Sequence, residues 1–312
     1  MKKSWIILAA LGLCACASVN KNTVSYQMSK YDQQVYYVIA GEGDTKSAAA
    51  ADARMNMRKN IELNVVDAKE IAQVEDLLAN AKIVKTWRDK SQSQNKHYLS
   101  LAVLKRATAQ KILEAPINDT DAQLGALATQ LQATEDKFAG LRAAFAMDPL
   151  IAKRNILEDL YVFVSEEHKG YETERFNLYK KAYNDRLANV KVSVSVQGQD
   201  NKELLSRITD AINQLGLSVV LDNDPAAQLA VEVEAEVDGY QSDKVKGLEW
   251  ADTSAAVSLR DVQNGGTFAR FNVHDRAGTS RPANSVRKSM ESIGDKAATE
   301  IVQRLTNYLK TK

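Results

Sequence analysis

Residues 229–237 read Leu-Ala-Val-Glu-Val-Glu-Ala-Glu-Val. Leu229, Val231, Val233, Ala235 and Val237 fall on one side of an extended chain, and Glu232, Glu234 and Glu236 on the other. A period of two belongs to a β-strand. Slipping the register by one residue would bury three carboxylates, so the strand must sit in a sheet with one covered and one wet face. The neighbouring segments supply such a sheet and its cover. VKVSVSV (190–196) alternates with valine on one face. Asp200 to Glu203 fits a capping box opening a helix with Leu204, Leu205, Ile208, Ile212 and Leu215, which Gly216 ends. LSVVLD reads as a buried strand. AAVSLRDV and TFARFNV flank Asn264-Gly265-Gly266, a hairpin signal. A last helix, about 284 to 309, gathers Val286, Met290, Ile293, Ala297, Ile301 and Leu305 on one face. The predicted order over 189–312 is β-α-β-β-β-β-α.

An earlier module, 31–117, has the same mixed character. QQVYYVIAGEG reads as a strand broken by Gly41 and Gly43. DTKSAAAADARMNMRKNI reads as a helix capped by Asp44 or Thr45, with Ala49, Ala53, Met57 and Ile61 on one face. Two strands follow round a polar turn near Ser91 to Asn95, then a short helix in ATAQKILEA. GEGDTKS has a strand before it and a helix after it, as a phosphate loop would. The loop needs G-x-x-x-x-G-K-[ST], however, and no glycine precedes Lys46. The expectation is that the two glycines allow a tight strand-to-helix turn.

Between the modules, Leu124, Leu127, Leu131, Phe138, Leu141 and Phe145 form a heptad-like stripe with Thr134 in the gap. Asp148-Pro149 is expected to interrupt it. A second helical stretch carries Ile156, Leu160 and Phe163 or Val164, then Tyr171, Leu178 and Ala182. Residues 118–188 therefore read as an antiparallel helical hairpin. One reading makes it a partner-binding or oligomerising coiled coil; the other packs it on itself or on its neighbours. The expected fold class is α+β: two small α+β modules separated by this hairpin.

The N-terminus decides location. Met1-Lys2-Lys3 precedes an apolar run from Trp5 to Leu13, the layout of a secretory signal. A membrane span needs about 20 apolar residues, and this run turns polar by Ser18. The only two cysteines, Cys14 and Cys16, end the run. A disulfide between them would close a strained ring. A C-x-C metal site would want further ligands, yet His97, His168 and His274 are scattered. Leu13-Cys14-Ala15-Cys16 resembles the bacterial lipobox, which implies a signal peptide over 1–15 and lipid on Cys16. Leu11-Gly12-Leu13-Cys14 matches less well, and ordinary cleavage after Ala17 stays open. Three acyl chains would anchor stably where one would not. Ala17 at the next position, and not Asp, implies sorting to the outer membrane, periplasmic face. Residues 16–30 read as a flexible tether.

Two further resemblances are carried by motifs. The strand, G-x-G, Ala-rich helix with A..AR, Trp-containing strand and HYLSLAVLKR.TAQKIL together resemble the Lpp-twenty-like (twenty-kilodalton) lipoprotein domain over residues 33 to 114. That domain is itself similar to the N-terminal domain of flagellar assembly protein T. The likeness implies a small α+β domain in an envelope lipoprotein and transfers no catalytic residue. The order over 189–312 resembles the modules of peptidoglycan-synthase-activating lipoproteins, the periplasmic part of the curli secretion channel and the TolB N-terminal domain. That likeness implies docking.

Composition excludes several classes. The net charge is +1, and loss of Lys2 and Lys3 with a leader would make it −1, so no basic excess points to nucleic acid. The Glu232, Glu234 and Glu236 row could face a cation, but alternate residues on one strand lie about 6.6 Å apart, so a solvated face is expected. Asp261 and His274 lack a nucleophile context. No catalytic residue, metal site or cofactor is expected. The expected function is non-enzymatic envelope assembly or interaction, through a periplasmic envelope protein and with a homo-oligomer open. The alternatives are an activator of a peptidoglycan synthase and a hydrolase with an unrecognised site.

Overall fold

A computed structural model describes residues 21–89, 97–134, 138, 140–165, 167, 169–198, 201–220, 224–243 and 245–311. The fold is α+β. Contacts divide it into two units, one running to Pro116 and taking in Ile156–Tyr171, the other Ile117–Asn155 with Glu172 onward. The 118–188 segment is thus shared between the units.

In the first unit, α1 (Val24–Met28) precedes β1 (Tyr36–Gly43), α2 (Lys46–Asn64), α3 (Gln73–Asn80), β2 (Lys82–Arg88) and β3 (Tyr98–Lys105). The strands form an antiparallel sheet in the order β1-β3-β2. The polar turn between β2 and β3 lies outside the described residues. Thr45 caps α2 through its hydroxyl, which accepts the Ala48 N–H at 3.0 Å. Ala49, Ala53, Met57 and Ile61 are completely buried, as their spacing predicts. Both faces of β3 are covered, which explains its near-continuous apolar sequence. One face meets α2. On the other, Val38, Trp87, Leu101 and Val103 pack with Val24, Met28, Tyr31 and Tyr36.

Two expectations change here. Residues 21–30 are not a free tether. Trp87 Nε1 donates to the Asn22 carbonyl at 2.8 Å, and Val24 and Met28 cover the sheet, because an uncovered Trp87–Val38 face would stay wet. Gly41 and Gly43 also do not make a left-handed turn, since neither has positive φ. They lie in β1 beneath α2. A Cβ on Gly41 would fall on the Ala53 backbone nitrogen, and one on Gly43 would lie 2.8 Å from the Ala48 Cβ. The G-x-G and the alanine run are two sides of one close helix-on-strand contact.

The helical segment also differs from expectation. ATAQKILEA is not a short closing helix: α4 runs unbroken from Arg106 to Ala133 through Pro116, and α5 (Leu141–Val164) runs through Pro149. An internal proline costs about 3 kcal/mol. The full burial of Leu113, Ile117 and Leu124 in α4, and of Leu141, Ala144, Met147 and Leu157 in α5, outweighs it. The break falls between Ala133 and Leu141, inside the expected heptad stripe, which therefore spans two helices. Arg186 of α6 (Thr173–Ala188) decides this. It donates to the Thr134 carbonyl at 2.9 Å at the end of α4, and its guanidinium lies where a Gly140 Cβ would be.

The second unit continues with β4 (Lys191–Gly198), α7 (Asn201–Gln214), β5 (Ser218–Val220), β6 (Leu229–Asp243), β7 (Leu248–Asp261), β8 (Gly266–Thr279) and α8 (Pro282–Thr311). The sheet order is β5-β4-β6-β7-β8, with β4 parallel to β5 and β6, and the rest antiparallel. The predicted β-α-β-β-β-β-α order is observed. The buried face of α8 includes Val286, Met290, Ile293, Ala297, Ile301 and Leu305. Two details are corrected. Leu205 is exposed, because the stripe of α7 runs through Leu204, Ile208 and Ile212. Within LSVVLD the described strand, Ser218–Val220, is a half-buried edge strand and not a buried one; Leu221 and Asp222 lie outside the described residues. Asp200, expected to cap α7, lies outside the described residues.

Candidate functional site

Helices α7 and α8 cover one face of the five-stranded sheet, and among the described residues the opposite face of β6, β7 and β8 is left open. Pairing aligns three rows on it. Glu232 stands beside Ser258 and Arg270, Glu234 beside Ala256 and Asn272, and Glu236 beside Ser254 and His274. All three glutamates are exposed, as are Arg270, Asn272 and His274. An acidic strand and a basic or polar strand therefore flank a central strand of small side chains, and the result is a shallow trough.

Some of these charges are already paired. Arg260 holds Glu232 at 2.9 Å, and Arg276 holds Asp252 at 3.4 Å while its guanidinium lies over the Trp250 ring at 5.0 Å. Glu234, Glu236 and Arg270 are in no ion pair among the described residues. Asp238 continues the alternation of Glu232, Glu234 and Glu236 onto this face, at a bulge that leaves it without a register partner on the next strand, and it accepts the Ser254 hydroxyl at 2.9 Å.

The outer edge of the trough is the last strand. Lys296 of α8 reaches over it, donating to the His274 carbonyl at 2.9 Å and to Asp275 Oδ1 at 2.7 Å. An ammonium on an edge carbonyl blocks pairing with another strand. In the first unit α2 does the same for β1. Asp52 accepts the Glu42 N–H at 2.9 Å, and Asn56 donates to the Ala40 carbonyl at 3.1 Å.

No protein-family model matches the chain, and no curated protein matches it by sequence. Solved structures do match. A secreted protein from the human pathogen Helicobacter pylori aligns at 14% identity over 84% of this chain and 97% of its own, with a TM-score of 0.39. A minor lipoprotein from Acinetobacter baumannii aligns at 15% identity over 39% of this chain and 94% of its own, with a TM-score of 0.29. Rare lipoprotein B from Shewanella oneidensis aligns at 13% identity over 38% and 95%, with a TM-score of 0.28. Likeness at these scores says nothing of function, which has to come from the residues of this chain.

The structure disperses the residues singled out in the sequence. Cys14, Cys16 and His168 lie outside the described residues. His97 stands 3.3 Å from Glu42 in the first unit, and His274 is on the open face of the second. Among the described residues no group of three His, Cys, Asp or Glu is placed to hold a metal ion. Asp261 does not serve His274. Its Oδ1 accepts the Gln263 and Asn264 N–H groups at 3.0 Å and its Oδ2 the Tyr308 hydroxyl, so it ties the β7–β8 turn to α8. Ser254 and His274 are cross-strand partners, yet the serine proton goes to Asp238, not to an imidazole. The backbone N–H groups of this central strand are engaged in the ladder and offer no oxyanion site. The glutamate row was legible from its alternation. The facing basic row on β8 alternates as well, but only pairing through β7 shows that the two rows share a face.

Proposed function

We propose that the chain is a lipid-anchored protein of the bacterial envelope that works without catalysis, presenting the open face of its second unit as a docking surface. The observation that carries this reading is the trough itself: a glutamate row facing a polar row that carries Arg270, over small side chains, shallow and solvated, suits protein recognition better than enclosure of a substrate. Lpp-twenty-like features over residues 33–114 and the lipobox-like Leu13-Cys14-Ala15-Cys16 support the envelope and Cys16 as anchor. Ala17 supports the outer membrane, periplasmic face. The docked N-terminal segment sharpens the anchoring. Five residues lie between Cys16 and Asn22, so the six steps of the link span at most about 21 Å. A short link confines the protein to the membrane surface and raises the effective concentration of membrane-bound partners.

The intact mass of the mature N-terminus from the membrane fraction tests the anchor. Cys16 carrying diacylglycerol and an amide-linked acyl chain is expected, and Cys16→Ala should move the protein to the soluble fraction. An unmodified chain starting at Ser18 would remove the tether from the mechanism. A second reading, activation of a peptidoglycan synthase, is favoured by the observed β-α-β-β-β-β-α order. It predicts that the full chain binds a periplasmic synthase domain. Residues 189–312 alone omit the helical part of the second unit, so the full chain is the proper reagent.

A further inference from the structure

We infer that the uncovered sheet face is the contact surface between two copies of this chain. This rests on the reading of that face as a docking surface and names its occupant. Charge and symmetry point to it. Neighbouring strands lie about 4.8 Å apart, so the glutamate row of β6 and the Arg270-Asn272-His274 row of β8 flank β7 at equal distances. A two-fold axis running along β7, just above the sheet, turns a second copy face down. Its β6 then lies above this copy's β8, and its β8 above this copy's β6. Position along the strand is unchanged by that rotation. A second copy's Glu232 faces Arg270, its Glu234 faces Asn272 with Arg270 one pair away, and its Glu236 faces His274. The same contacts recur on the other side of the axis. An axis across the strands would instead set glutamate row on glutamate row, which like-charge repulsion forbids.

The residues on the axis fit this arrangement. Ser254, Ala256 and Ser258 are small, so two sheets about 10 Å apart leave room for glutamate and arginine side chains to meet between them. Arg260 and Asp252 would each meet their own counterpart, but each is neutralised within its own sheet by Glu232 and Arg276. The alternative route to a dimer, strand addition at β8, is opposed by Lys296 on the His274 carbonyl. The three long strands have 15, 14 and 14 residues. At about 3.3 Å per residue they offer on the order of 500 Å² per copy, near the low end for specific interfaces. The dimer should therefore be weak, and strongest at low ionic strength.

Sedimentation velocity of the full chain carrying Cys16→Ala, over a concentration series at low and at physiological salt, reads this directly. A reversible monomer–dimer equilibrium is expected, weakening about 10-fold or more with added salt. Two variants carry the decisive comparison, both at exposed positions outside any ion pair. Glu234→Arg with Glu236→Arg puts two cations into the acidic row; Asn272→Glu with His274→Glu puts two carboxylates at the positions that face them. Each alone should be monomeric with an unchanged thermal midpoint. Mixed together, they should associate, since both halves of the mixed interface are then complementary. A monomeric parent chain, reversed chains that dimerise like the parent, or a mixture that stays monomeric would each overturn the inference. If the parent is monomeric while the reversals abolish cellular crosslinks to a different envelope protein, the docking reading survives with another occupant. If they alter neither, both readings fail.

Discussion

Asp121 of α4 and Arg154 of α5 are both completely buried, and the Arg154 Nε donates to Asp121 Oδ1 at 2.9 Å. Arg175 of α6 reaches the other carboxylate oxygen at 3.3 Å, and the Arg154 guanidinium lies over the Phe176 ring at 4.8 Å. One carboxylate thus joins three helices of the second unit. Removing one partner strands a buried charge, which costs about 3–5 kcal/mol. Arg154→Met alone, and Asp121→Leu alone, should each lower unfolding free energy in denaturant by about that much. The double variant should recover most of the loss, since a well-packed apolar pair has no charge to desolvate. Additive losses would show that the two residues do not act as a pair.

The contact of Gly41 with Ala53 makes a second prediction. Gly41→Ala should destabilise the first unit by about 2 kcal/mol, because the new methyl group meets backbone that cannot rotate away. Ala53→Gly should not rescue it, since the obstacle is the Ala53 backbone nitrogen and not its side chain. Chemical denaturation of the two single variants and the double variant measures this.

Asp275 gives an acid-side signature. Partial burial pushes its carboxyl up, but hydrogen bonds from Lys296 and Ser292 and the Lys296 charge outweigh this, so it titrates below its ordinary value of 3.8. A carboxyl depressed in the folded state contributes stability above its unfolded pKa and loses it as pH falls through the folded one. Asp275→Asn should therefore cost about 1 kcal/mol near neutral pH. The difference from the parent should shrink as pH falls below about 4 and vanish where both are protonated. Unfolding midpoints across an acid series test this, and a constant gap would refute the assignment.

Trp87→Phe keeps an aromatic ring against Val38 but loses the hydrogen bond to the Asn22 carbonyl. Local opening of residues 21–30 should become about 1 kcal/mol easier, giving roughly five-fold faster tryptic cleavage after Lys30 with little change in global stability. Equal cleavage of both proteins would mean that the segment is free, as its polar sequence suggests.

The sequence alone determined the elements whose burial follows a single period. The strict alternation of 229–237, the 49-53-57-61 face of α2 and the 286-290-293-297-301-305 face of α8 are set by local geometry, because a strand repeats every two residues and a helix every 3.6. Wherever two elements compete for the same stretch, tertiary structure decided. Pro116 and Pro149 look like helix ends locally, but long-range burial on both sides outweighs their cost. The seven-residue gap around Thr134 looks like a polar heptad position, but Arg186, 52 residues later, ends the helix there. The polar SVNKNTVSYQMSK looks like a tether, but Trp87 holds its latter part to a sheet. Asp121 and Arg154, 33 residues apart, left no local signal, since the energy of a buried ion pair exists only once both have left water. The same holds for the candidate site: each charge row follows from the chain, and their opposition across β7 from strand order alone.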